Sequence, residues 1–318
     1  MDDAVALALD AEFPERTVER TGPAGPSWNE NNRTVLVEFA DGGVVYLKVA
    51  TDGDPSRIAR ERAAIEYVAA HCEVPVPDVL GSDVDGSTPY LATAPLSGRA
   101  VGDHWEEWTT DERTETARLA GETLAALHGV GFDRPGRITG GGADGLDVRA
   151  EAWPDQLLGS VEYIRELAPS DRFDHHFEAA HEAVEANHDR LTGVPSVLVH
   201  GDVTRGNCFR RADGVALLDW EDAYAGDPVR EIRRTQRQLL DPVGREPDER
   251  TVTAFHDGYR DRAGGLPDGF DERAPIYAVV SFLDTSGFFD TWAPEADEPT
   301  DEIADWVEAE MDRRLAAV

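Results

Sequence analysis

The stretch that most constrains the fold is Leu198–Glu221, LVHGDVTRGNCFRRADGVALLDWE, in which His200, Asp202 and Asn207 form an H-x-D-x4-N pattern and Asp219 follows in LLDWE. The apolar runs Val197–Val199 and Val215–Leu218 are too short for helices and are bounded by turn residues. They read as buried strands that carry a polar loop and Asp219 to one edge of a sheet.

That arrangement suits phosphoryl transfer. In the kinase form of this chemistry a loop Asp takes the acceptor hydroxyl proton, an Asn five residues on holds Mg²⁺, and a second Asp at a strand end bridges the metal to the phosphates. HGDVTRGN followed by LLDWEDAYAGDP resembles the aminoglycoside phosphotransferase and small-molecule kinase family, with its loop, metal strand and GDP turn in order. The resemblance implies an α+β, two-lobed protein-kinase-like fold: a small antiparallel-sheet N-lobe over residues 1–94 and a large, mainly helical C-lobe over 95–318. It implies ATP or GTP with Mg²⁺ as cofactors, Asp202 as the catalytic residue, and Asn207 and Asp219 as metal ligands. The partner it implies is a small-molecule hydroxyl acceptor such as an amino sugar, sugar or amino alcohol. A kinase-like nucleotide-binding regulator without catalysis is the alternative, but it would lack Asp202, Asn207 or Asp219, and all three are present. A metallophosphoesterase would need distant GD and GN pairs with further His ligands. A protein kinase would need an activation segment ending in A-P-E after Asp219, where the GDP turn leaves little room.

Composition bounds the partners. With 318 residues the chain has ample length for one large domain or two packed lobes. Acids outnumber bases by 64 to 30, the net charge is −34 and the pI is near 4.4, which opposes nucleic acid or anionic membrane as partner. The acids are spread along the whole chain, as in halophilic cytoplasmic proteins, so acidity reads as habitat rather than function. The N-terminus has no basic leader and no apolar run approaches membrane-spanning length, so a cytoplasmic location is expected. Cys72 and Cys208 have no metal-ligand spacing and read as free buried thiols. Oligomeric state is not legible.

In the first third, TVLVEF and VVYLKV flank Asp41-Gly42 and predict a hairpin. Gly22–Glu30 stands where kinases place the loop over the phosphates, yet Pro23 and Pro26 remove two amide donors, and on its own the segment reads as an ordinary linker more than as a phosphate cap. Lys48 is the only lysine; the other 29 bases are arginine. A compact point charge reaches between phosphates where a planar guanidinium fork does not, and a chance survivor on a strand is the lesser alternative. Asp54-Pro55 starts a helix through Cys72. Ile58, Glu61, Ile65 and Val68 share its apolar face, so Glu61 needs a cationic partner. The kinase template makes that partner Lys48. Tyr90–Thr93 is a short strand leading to the hinge, where the resemblance places Ala94 and Leu96 against the adenine through backbone groups.

Thr109 with Glu112 forms a possible capping box, and Gly129 a glycine cap, for a helix ending at His128, which reads as structural. Gly131–Leu146, with Gly140-Gly141-Gly142, reads as a mobile loop. Helical patterns follow near 150–167, 171–191, 248–262, 272–290 and 300–316. Gly226-Asp227-Pro228 begins another, on which Arg230, Arg233, Arg234 and Arg237 form a stripe that reads as salt-bridging to nearby carboxylates. Glu231 stands where the family has Asp. Arg205 reads either as a phosphate neutraliser or as an exposed arginine. Phe282, Asp284, Phe288, Phe289, Asp290 and Trp292 mark the region where the family binds its acceptor.

Overall fold

The predicted hairpin is the centre of the N-terminal third. The structure, a computed structural model, describes residues 3–25, 31–241, 243–244, 246–296 and 298–318, and the elements below are those of these residues. Helix α1 (Asp3–Glu12) and strand β1 (Val18–Pro23) precede the hairpin strands β2 (Asn32–Phe39) and β3 (Val44–Ala50), and helix α2 (Ser56–His71) leads on to β4 (Val79–Asp83) and β5 (Tyr90–Thr93). The five strands pair antiparallel in the order β1-β2-β3-β5-β4. Period-two alternation puts Val35, Val37 and Phe39 with Val45, Leu47 and Val49 on one face, where they bury against Val5, Ala8 and Leu9 of α1. Leu91 and Ala50 face the other way, into a core with Ile58, Ile65 and Val68 of α2. Lys48 pairs across from Leu91 and so shares that second face. The Asp54 carboxylate accepts the Ser56 amide at 3.0 Å and closes the start of α2.

Gly22 and Pro23 correct the linker reading. They belong to β1, paired with Leu36 and Val35. That strand is mostly exposed and carries no apolar alternation, so periodicity could not reveal it. Residues 26–30 of the expected phosphate-covering loop lie outside the described residues.

The remainder runs β6 (Arg99–Ala100), α3 (Val101–His104), α4 (Thr110–Leu127), β7 (Gly131–Phe132), β8 (Gly136–Gly142), β9 (Gly145–Ala150), α5 (Trp153–Leu167), α6 (Asp174–Ala186), α7 (His188–Leu191) and β10 (Ser196–Val199). It continues β11 (Cys208–Arg210), β12 (Val215–Leu217), β13 (Tyr224–Gly226), α8 (Pro228–Thr235), a π-helical turn Gln236–Leu240, α9 (Glu249–Ala263), α10 (Phe270–Gly287), α11 (Phe289–Trp292) and α12 (Thr300–Leu315). The Thr109–Glu112 capping box is present, with both reciprocal bonds made. Gly129 is not a left-handed cap, however. The helix closes on tight turns, the Val130 amide reaching Leu127 O at 3.1 Å, because the chain passes directly into β7. Helices α4 and α9 cross at Gly121 and Gly258, where a methyl group on either glycine would overlap the carbonyl oxygen of Phe255 or Arg118. Only glycine permits so close an approach.

The glycine-rich segment is a hairpin, not a mobile loop. β8 and β9 pair from Gly136–Ala150 to Gly142–Gly145, and β8 also pairs with β13. Helix α2 fastens it from the side: Arg60 Nε donates to Ile138 O at 2.8 Å, and Arg62 Nη2 to Gly141 O at 3.1 Å. Its order comes from these distant partners. Phe282 and Phe289 sit in a third core with Trp153, Phe177 and Tyr277, which assigns them to packing. Among the described residues no helix is long and apolar enough to cross a membrane. Cys72 and Cys208 are free thiols, and burial pushes the first up to about 11.

Candidate active site

Strand β3 and helix α2 bring Lys48 and Glu61 together from one side, and the segment after β12 brings Asp219 and Glu221 from the other. Lys48 Nζ lies 2.6 Å from Glu61 Oε2, 2.7 Å from Asp219 Oδ1 and 3.2 Å from Glu221 Oε2. Glu221 is further held by Arg57 at 2.9 Å and by the amide of Asn32 at 2.8 Å. Three carboxylates therefore surround one ammonium. Burial alone would discharge Lys48, yet its carboxylate neighbours raise it well above the ordinary lysine value. Burial pushes Glu61 up to about 7 despite the pull of Lys48. Asp219 has φ +63°, a left-handed backbone rare for any residue but Gly, Asn or Asp. That turn takes its carboxylate off the strand line and toward Lys48.

The second half of the site is the loop between β10 and β11. His200 Nε2 donates to Leu218 O at 2.9 Å and its Nδ1 accepts the Asp202 amide at 3.2 Å, which places the loop against the segment that carries Asp219 and sets the tautomer. Gly201 has φ +91°, and a side chain there would run into Asp222 O. Its amide donates to Glu231 Oε1 at 2.8 Å, while Glu231 Oε2 takes His128 Nε2 at 2.8 Å. Glu231 thus ties α8 and α4 to the loop, and His128 is structural. Asp202 Oδ2 accepts from Asn207 Nδ2 at 2.9 Å, and its Oδ1 from Gln238 Nε2 at 3.2 Å. Asn207 Nδ2 also reaches Asp202 O at 3.0 Å, which turns the Asn207 side-chain oxygen away from Asp202. Asn207 O receives the Leu218 amide at 2.9 Å, so the two halves meet one residue before Asp219. Burial raises the Asp202 carboxyl above its ordinary value while Arg234 draws it down.

Arg234 is one of the four stripe arginines, and sequence reasoning did not set it apart from the others. It stands 3.4 Å from Asp202 and 2.9 Å from Asp284, and bridges the two. Among the described residues the stripe reading holds for Arg234 alone. Arg230 donates to Tyr224 Oη at 3.2 Å and Ser160 Oγ at 2.9 Å, Arg233 to Gln236 at 2.6 Å, and Arg237 to Thr285. Sequence reasoning gave Glu221, the acid of LLDWE, no role, although its place in that pattern is the signal that could have found it. Arg205 turns from the site: it bonds Leu239 O at 2.8 Å and Glu106 at 3.2 Å, and covers Trp105. Just after β5 the Ala94 amide is committed to Asp78 O at 2.9 Å, which leaves its carbonyl as the backbone group open to a ligand.

Asp227 of the GDP turn caps α8 through the Val229 amide at 2.9 Å and accepts Arg273 Nε and Tyr277 Oη, each at 2.6 Å. This fully buried carboxylate anchors α10 under the site. A cavity of about 130 Å³ is lined by Arg237, Gln238, Val243, Ser281, Asp284, Thr285 and Trp292, and Gln238 links it to Asp202 by its 3.2 Å bond. Asp290, by contrast, bonds Arg172 at 3.2 Å and Ser170 elsewhere.

A glucosamine kinase of Streptacidiphilus jiangxiensis is 26% identical over 260 residues, covering 75% of this chain and 55% of that protein, so the chain spans about half the length of this curated relative. The solved structure of aminoglycoside phosphotransferase APH(4)-Ia in ternary complex with ADP and hygromycin B superposes with TM-score 0.63 at 16% identity, covering 99% of this chain and 98% of that one. A Thermobifida fusca protein named as a candidate fructosamine-3-kinase superposes with TM-score 0.64 at 19% identity, over 100% and 99% of the two chains. These likenesses give the two-lobed, kinase-like α+β fold. A profile of the Phosphotransferase enzyme family matches residues 24–266, and the chain belongs to that family.

Proposed function

We propose that this chain is a small-molecule kinase that transfers the terminal phosphoryl group of ATP or GTP to a hydroxyl of an amino sugar, sugar or amino alcohol. The observation that carries the reading is the Asp202 carboxylate, held by Asn207 at 2.9 Å beside the cluster of Lys48, Glu61, Asp219 and Glu221. Lys48, braced by Glu61, holds the phosphates as a point charge. Ala94 and Leu96 present backbone groups to the purine. Asp202 orients the acceptor hydroxyl and takes its proton. Asp219 and the side-chain oxygen of Asn207 are hard oxygen donors, and together with the neighbouring Glu61 and Glu221 carboxylates they fit Mg²⁺. The bound ion supplies charge neutralisation on the phosphates.

Support for the acceptor class comes from the cavity that Gln238 links to Asp202, where Trp292 offers an aromatic wall and Asp284 a carboxylate. A relative named as a glucosamine kinase points the same way. The experiment is phosphate transfer from MgATP in molar KCl to a panel of sugars, amino sugars, amino alcohols and aminoglycosides, with wild type and Asp202→Asn. The expected result is turnover on at least one neutral or cationic hydroxyl compound, and a loss of ~10³-fold or more in kcat with near-normal ATP affinity in the variant. Full activity of Asp202→Asn would remove the assignment. Response to anionic acceptors alone would move the acceptor site toward the arginines of α8.

A further inference from the structure

We propose that His175, His176 and Glu308 form a binding site for a borderline divalent cation of the zinc class, which clamps the C-terminal helix α12 onto α6. The site shares no residue with the phosphoryl-transfer cluster, and Glu308 lies beyond the part of the chain that the family profile matches. The Nε2 atoms of His175 and His176 lie 3.0 and 3.1 Å from the same oxygen, Glu308 Oε2. Adjacent residues on a helix point about 100° apart, so helical periodicity does not produce such a convergence. It occurs in the first turn of α6, where the two rings meet edge to face at 4.4 Å.

The donor set fits. Two imidazole nitrogens and one carboxylate oxygen lie within 4.8 Å of one another. With zinc bonds of about 2.0–2.1 Å, tetrahedral donors stand about 3.3 Å apart, so an outward shift of a few tenths of an ångström admits the ion and leaves a fourth position for water. His176 is 2% exposed and stacked on Phe173, and its ring is fixed before any ligand arrives. Burial also lowers its proton affinity, and a metal ligand must be the neutral imidazole. Asp312, one turn beyond Glu308, adds negative charge near His176. Hard ions such as Mg²⁺ avoid imidazole, which separates this site from the carboxylate cluster around Lys48.

The test uses the full chain, stripped with chelator and held in molar KCl with millimolar Mg²⁺ to occupy hard oxygen sites. Zn²⁺ is titrated calorimetrically, and Co²⁺ is followed by visible absorption. The expected result is one saturable site per chain, with the intense bands of tetrahedral Co²⁺ and a Zn²⁺-dependent rise in melting temperature. His175→Ala and Glu308→Gln, both at exposed or half-exposed positions, should each weaken Zn²⁺ by ~10-fold or more while MgATP turnover is unchanged. Absence of a saturable site, or equal Zn²⁺ affinity in wild type and both variants, overturns the proposal.

Discussion

Glu231 accepts the backbone amide of Gly201 at 2.8 Å, joining α8 to the loop that carries Asp202 from 30 residues away. Its other oxygen is taken by His128 at 2.8 Å, so one buried carboxylate satisfies a buried imidazole and a half-buried backbone amide. Glu231→Ala leaves both unpaired and should cost about 2–4 kcal/mol of stability. Glu231→Gln keeps an oxygen for Gly201 but puts its amide where one acceptor stood, and should retain the fold with a kcat reduced by ~10-fold or more. Denaturant unfolding and single-turnover kinetics on the pair separate these outcomes; equal kcat in wild type and Glu231→Gln would show that the tie serves stability alone.

Lys48→Arg tests the lone lysine. Three carboxylates lie 2.6, 2.7 and 3.2 Å from its Nζ, a shell matched to a compact ammonium. A guanidinium is broader and planar and cannot keep all three contacts from the same strand position. The expectation is a fall of ~10²-fold or more in kcat/KM for MgATP with the fold retained. Wild-type values would make Lys48 a chance survivor among arginines.

His256 gives a pH prediction for stability. Burial, with Arg233 and Arg260 beside it, lowers its pKa to about 4, and its Nε2 is buried without a partner among the described residues. The unfolded chain binds this proton near pH 6.5 and the folded chain only near 4. The contribution of His256 is therefore fully present above pH 6.5 and is lost as the pH falls through 4. Allowing for partial exposure of the ring, the loss is about 1–2 kcal/mol over that window. Unfolding free energies of wild type and His256→Gln at fixed salt, at pH 7, 5.5 and 4.5, should show their difference shifting against wild type in acid; a constant difference contradicts the assignment.

The net charge of −34 predicts a strong dependence on salt. Carboxylates spread over the surface repel one another unless screened, and screening grows with ionic strength. The melting temperature should rise steeply with KCl into the molar range. Indifference to KCl would mean that the acidity serves something other than a saline interior.

The contacts of the site divide by how far apart in the chain their members lie. Glu61 could be read as inward because helical spacing aligns it with Ile58, Ile65 and Val68, and a carboxylate on an apolar face requires a cation. Asp202, Asn207 and Asp219 could be read together because one short segment carries the loop and the strand that leads to Asp219. The α2 helix, the capping box and the β2–β3 hairpin were likewise written in local pattern. Arg234 was not, since nothing local distinguishes it from Arg230 or Arg233; only the packing of α8 against the loop sets it between Asp202 and Asp284. The same holds for Gly136–Ala150, whose glycines have no side chains to pattern, and whose order comes from pairing with β13 and from Arg60 and Arg62 on α2. Local pattern reports on contacts within a turn or a hairpin. A partner tens of residues away is chosen by which surfaces can be buried together, and that choice belongs to the tertiary structure.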